Sequence, residues 1–150
     1  MNYATALVSL PLVCEAKGDS IRTPEDALKA CKDLAGLAQE SFHVLTLNTK
    51  NRLMNRHMVS LGTVNSTSVS VSLCMRCAVI DNAVSLVAIH NHPSGQNTPS
   101  AEDIEITRKL VEAGKILGIR VLDHIIVGRD PESGAATQLS LREKGLVQFE

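Results

Sequence analysis

The chain alternates apolar stretches with polar breaks on two different periods. Ala6 to Cys14 is apolar, but Pro11 has no amide proton for a sheet ladder, so an edge strand or an arm is expected there rather than a helix. Lys17-Gly-Asp-Ser20 breaks it. Thr23-Pro-Glu-Asp26 offers a capping hydroxyl, proline at the first helical position, and acids in the first turn where the helix dipole favours them. Ala27, Cys31, Leu34 and Ala38 then predict a helix with one apolar stripe, its end blurred by Gly36. Phe42 to Leu47 predicts a strand, and Asn48 to Asn51 turns the chain into a second strand from Arg52 towards Leu61.

Gly62 to Thr67 reads as loop. A helix from about Ser72 to Asn82 is expected to bury Leu73, Cys77 and Ile80 on one face. The unbroken apolar run Val84 to Ile89 reads as a core strand. From Ala101 to Leu117, the residues Ile106, Leu110, Ala113 and Leu117 recur as the buried face of a longer helix, which Gly118 is placed to stop. Arg120 to Gly128 predicts a further strand and Arg129 to Gly134 a turn-rich loop. Thr137 to Leu141 predicts a last short strand, and Ser140 to Gly145 a closing helical turn. Strands alternating with helices of this length predict a two- or three-layer α/β domain.

Composition narrows this picture. A chain of 150 residues suits one domain able to bury its own core. A formal charge of −1 leaves no electrostatic footprint for nucleic acid. Lys50, Arg52, Arg56 and His57 are the one local concentration of basic residues, read as a solvated hairpin face. No apolar run approaches the roughly twenty residues of a membrane span, and no basic stretch precedes Leu7 to Val13, so a cytoplasmic protein is expected. Of the four cysteines, Cys14, Cys31, Cys74 and Cys77, the last two form a C-x-x-C with no second pair to complete a metal site. Two buried thiols on an apolar helix face are expected there.

The chemistry concentrates between Ile89 and Ile104. Extended backbone sends residues i and i+2 to the same side, so His90 and His92 at a strand end can aim both imidazoles at one point. Asp103 can bring a carboxylate to that point from the following helix. Two imidazoles and one carboxylate, with room for water, make the open donor set of a catalytic zinc rather than a closed structural one. Simpler readings stand beside this. Ser100 and Asp103 also make a plain capping pair for the helix, and His-Asn-His is a short string shared with HNH nucleases. Asp123-His124 reads equally as a support for the metal site or as a polar break in a strand.

The full spacing His90-x-His92, seven residues, Ser100, two residues, Asp103 resembles the motif of the JAMM/MPN metalloprotease superfamily. HNHPSG at 90–95, PSAEDIEIT at 99–107, LVEAGKILGI at 110–119 and LDHIIVG at 122–128 resemble its RadC branch, from about Ser20 to the C-terminus. RadC-like sequences usually open the helix near Ser72 with proline, where this chain has serine.

The resemblance implies a JAMM/MPN, cytidine-deaminase-like α/β fold, a mixed curved sheet flanked by helices, over residues 20–150. Residues 1–19 would be the arm or edge strand. It also changes the standing of Glu40: taken alone, a carboxylate at the mouth of a core strand reads as exposed, whereas JAMM proteins place their general acid/base glutamate on the strand after the first helix. It further implies one zinc ion on His90, His92 and Asp103, with Ser100 stabilising the oxyanion. The expected activity is hydrolysis of a peptide or isopeptide-linked protein substrate. A non-catalytic metal-binding module and a DNA-repair-associated accessory protein remain as alternatives. Longer RadC-like proteins carry a helix-hairpin-helix segment ahead of this domain, which is expected to be missing here, so a nucleic-acid role would need a partner chain. A dimer is compatible with all three readings.

Overall fold

The computed structural model describes residues 18–62 and 69–149. The expected arm from Ala6 to Cys14 and nearly all of the loop after Gly62 lie outside these residues. Helix α1 (Pro24–Ala30) is followed by a 3₁₀ turn (Lys32–Gly36), then strands β1 (Ser41–Leu47) and β2 (Leu53–Leu61). Helix α2 (Val71–Ile80) leads into β3 (Ser85–Asn91), and helix α3 (Ala101–Leu117) into β4 (Arg120–Arg129) and β5 (Ala136–Ser140). The sheet order is β2-β1-β3-β4-β5. Only the β3–β4 pair is parallel, joined through α3 as a parallel crossover requires. The result is an open mixed α/β sheet with helices on both faces, as the family resemblance implies.

Every residue of β1 and β3 is buried because both faces of the sheet are covered. Phe42, Val44, Leu86, Ala88 and Ile126 pack under α2 and α3. Leu45, Leu47, Val87, Ile89 and Val127 pack under α1 and the 3₁₀ turn. Helix α1 begins as expected: the Thr23 hydroxyl accepts the Asp26 N–H, and the Asp26 carboxylate accepts from the Thr23 N–H. It ends earlier than its stripe predicts. Cys31 and Leu34 still point inward, whereas Ala38 is exposed.

Two helix faces differ from expectation. In α2 the inward residues are Cys74, Met75 and Ala78, while Leu73 and Ile80 are exposed and Cys77 is only half-buried. The helix is apolar nearly all round, so periodicity alone could not select the buried face. In α3 the inward stripe is Asp103, Thr107, Leu110, Val111 and Gly114; Ile106 and Ala113 flank it and Leu117 is exposed. The helix is rotated so that two polar residues go inside. Gly118, at φ 69°, stops it in the left-handed conformation as predicted. Residues 141–145 form turns rather than a helix. Cys31, Cys74 and Cys77 are free thiols, and no helix among the described residues is long and apolar enough to cross a membrane.

Candidate metal centre

Strand β3 carries His90 towards α3, on the face opposite Ile89 and Asn91, and fully buries it. Phe42, its partner across the β1–β3 ladder, stacks on the ring with centroids 5.5 Å apart and 17° between planes. His92 lies just beyond the strand and leans back to the same point, its Nε2 3.0 Å from the His90 Nε2. The Pro93-Ser94-Gly95 turn makes this return. Gly95 N–H closes onto the His92 carbonyl, and Arg129 N–H donates to the Gly95 carbonyl. The turn presses so close to β4 that a side chain at Gly128 would meet the Gly95 oxygen at 2.3 Å. The His92 Nδ1 lies 2.9 Å from the Gln96 carbonyl, which can only accept, so that nitrogen carries the proton and Nε2 faces the cluster.

Asp103 enters from the first turn of α3. Its two oxygens lie 3.2 Å from His90 Nε2 and 3.2 Å from His92 Nε2. It is also a capping residue: its carboxylate accepts the Ser100 N–H at 2.8 Å, and the Ser100 hydroxyl accepts the Asp103 N–H at 3.1 Å. One side chain thus caps the helix and also faces the histidine cluster. Burial works against the ionised carboxyl, but the His90 and His92 imidazoles packed against it, with the Ser100 amide donating to it, hold it far below the usual carboxylate range. The Asp103 carboxylate raises the basicity of His92 against the opposing cost of burial.

Glu40 completes the group, its Oε1 3.7 Å from His90 Nε2. It sits one residue before β1 rather than on the strand. Its side chain is 36% exposed, against 0% for His90, so the cluster is closed behind His90 and open beside Glu40. One ligand atom from each of Glu40, His90, His92 and Asp103 lies within 4.8 Å of the others. Four-coordinate zinc with bonds of 2.0–2.1 Å holds its ligand atoms about 3.3 Å apart. The separations of 3.0, 3.2 and 3.2 Å among His90, His92 and Asp103 fit that size, and the N/O donor set fits a divalent cation with an open position. Ser100 contributes its cap at the rim.

The Asp123-His124 pair divides. Alternation along β4 sends His124 inward, where its Nε2 meets His90 Nδ1 at 2.8 Å and its Nδ1 meets the Thr107 hydroxyl. Burial holds the His124 imidazole well below its ordinary pKa. Asp123 points elsewhere, accepting from the His124 amide, the Ser140 hydroxyl and the Arg142 amide. Two supporting residues have no clear signature in the sequence. Thr107 looks like any helical threonine, although its spacing of four from Asp103 places both on one helix face. Asn91 shows only as the middle letter of His-Asn-His, yet its amide spans the chain on either side of Glu40.

The RadC-like JAB domain model matches residues 21–146. A UPF0758 protein of Caldanaerobacter subterraneus is 39% identical over 142 residues, covering 94% of this chain and 58% of that protein. A UPF0758 protein of Listeria monocytogenes is 43% identical over 137 residues, covering 91% and 58%. One of Bacillus pumilus is 44% identical over 128 residues, covering 85% and 54%. The chain therefore spans little more than half the length of these relatives. With the match running from just ahead of α1 to beyond β5, and with the cluster assembled inside it, the chain belongs to the RadC-like JAB domain family.

Proposed function

We propose that this domain is a zinc-dependent hydrolase of peptide or isopeptide bonds. The observation that carries the reading is the convergence of Glu40 on a compact group of two imidazole nitrogens and a carboxylate, on the open side of an otherwise buried cluster. Zinc held by His90, His92 and Asp103 would act as a Lewis acid and lower the pKa of water at the site towards neutrality. Glu40 takes a proton from the attacking water and later delivers it to the leaving amine. Its partial exposure gives water access to the carboxylate. The Ser100 hydroxyl accepts the Asp103 amide and so keeps its own proton, available to the oxyanion formed on the substrate carbonyl.

Metal content by plasma mass spectrometry, on protein purified without added metal or chelator, tests the first half of this reading. One zinc per chain in the parent and much less in His92→Ala is expected. Cleavage of peptide and isopeptide-linked substrates that Glu40→Gln abolishes tests the second half. Tight zinc binding without such cleavage would make the domain a metal-binding module instead. A nucleic-acid role has no support from a net charge of −1 and would fall to other chains or to further sequence of the kind the longer relatives carry.

A further inference from the structure

We infer that Thr107 and His124 are positioning residues for the metal centre, joined in a one-way hydrogen-bond chain that keeps the His90 proton on Nδ1 and its lone pair on Nε2. The inference rests on the reading of the cluster as a metal site.

The direction of the chain follows from its far end. The Asp103 carbonyl can only accept, and the Thr107 Oγ1 lies 2.5 Å from it. Two oxygens at that distance need a proton between them, so the hydroxyl donates backwards to the preceding turn. Its one proton is then used, and Thr107 can only accept from His124 Nδ1. His124 is fully enclosed, and the hydrogen-bond partners of its ring nitrogens are His90 and Thr107, neither of them a carboxylate. An imidazolium there would be a buried charge without a hydrogen-bonded counter-ion, so the ring is neutral. With its proton on Nδ1, the His124 Nε2 is bare and accepts from His90 Nδ1 at 2.8 Å. His90 in turn presents a bare Nε2 to His92, Asp103 and Glu40.

Reversing any link would put a proton into the space where a ligand lone pair is needed. Second partners of this kind fix the tautomer and orientation of ligating histidines and raise their basicity. Asp103 also closes a ring of contacts. Its carboxylate lies 3.2 Å from one nitrogen of His90, while its carbonyl anchors the chain that reaches the other. The imidazole from β3 is thereby held between α3 and β4. At His92 the Gln96 carbonyl does the same work in a single step.

The test uses Thr107→Val, which removes the hydroxyl at nearly constant volume, and Thr107→Ser, which restores it. In the metal-free parent at pH 8, two-bond proton–nitrogen spectra should show His90 and His124 protonated on Nδ1. In Thr107→Val the His124 proton should move to Nε2 and the His90 proton to Nε2. Zinc affinity by chelator competition should fall about 10- to 100-fold, and Thr107→Ser should recover both readouts. Should the valine variant fail to fold, Thr107→Ala carries the same expectations. A folded variant with the His90 proton still on Nδ1 and zinc affinity within twofold of the parent overturns the inference. So does a parent whose His90 is protonated on Nε2. A parent with the expected proton positions that takes up no zinc also overturns the positioning role, and identifies the metal reading as the part that failed.

Discussion

Asn91 grips the main chain on both sides of Glu40. Its Oδ1 accepts the Ser41 N–H at 2.7 Å and its Nδ2 donates to the Gln39 carbonyl at 3.0 Å. The histidines on either side of Asn91 face the cluster, while its own side chain leaves the opposite face of β3 to hold Glu40, the residue just before β1. A third tie, Gly62 N–H to the Glu40 carbonyl at 2.7 Å, fixes the residue to the end of β2.

Asn91→Ala should therefore separate catalysis from metal binding. The buried Ser41 amide loses its partner, at a cost of about 1–3 kcal/mol in urea unfolding. Metal content should remain near the parent value, while kcat falls about 100-fold through misplacement of Glu40. Loss of metal as complete as in His92→Ala would place Asn91 in the ligand frame instead.

The two roles of Asp103 can be divided by substitution. Asp103→Ala should lose metal and also the reciprocal arm of the α3 cap, about 1 kcal/mol of stability in the metal-free protein. Asp103→Asn keeps an oxygen for the Ser100 N–H and should recover most of that stability without recovering metal. Metal content and chelator-treated melting curves, taken together, decide the point.

Ser100→Ala should lose about 1 kcal/mol of cap stability and, if the hydroxyl serves the oxyanion, about 100- to 1000-fold in kcat. Ser100→Asn retains a capping oxygen and should show only the kinetic loss. Recovery of full hydrolysis in the asparagine variant would reduce Ser100 to a helix cap.

A pH effect is expected away from the cluster, at His43 on β1. Burial, with the Arg56 guanidinium beside it, pushes this imidazole down to about 4, from an ordinary 6.5. Its Nδ1 accepts from Arg56 Nε at 3.2 Å, leaving no place for a second proton. Because the folded pKa lies below the unfolded one, the unfolded chain binds the proton first. Stability is then unaffected above about pH 7 and is lost progressively as pH falls from 6.5 towards 4, by about 3 kcal/mol at most. Urea unfolding of chelator-treated protein at pH 7 and 4.5 should show this loss, and His43→Gln should remove most of it.

The cluster is legible in the sequence where a regular backbone period does the geometry. His90 and His92 share a side because a strand repeats every two residues, and Asp103 follows at the start of a strongly marked helix. The rotation of α3 is less legible, because Asp103 and Thr107 are buried for their hydrogen bonds, and an apolar pattern discounts them in favour of Ile106 and Leu117. In α2 the opposite difficulty arises: with Leu73, Cys74, Met75, Cys77, Ala78, Val79 and Ile80 all apolar, several faces read equally well. Strand alternation requires that Asp123 and His124 point apart. Which of them faces His90 depends on the register of β4 against β3, including the irregularity after Leu86, and no local pattern carries that information.

The pairing of Phe42 with His90 across the antiparallel β1–β3 ladder bears on how the chain can go wrong. The two strands are far apart in sequence, with β2 and α2 between them along the chain. Each reads as a nearly continuous buried run, so a misthreaded sheet, shifted by one residue, would lose little greasy contact. It would turn His90 away from Glu40 and bring Asn91 into its place, since a single-residue slip reverses every side chain. Zinc uptake during refolding would thus report strand alignment, separating correctly threaded molecules from compact but inert ones.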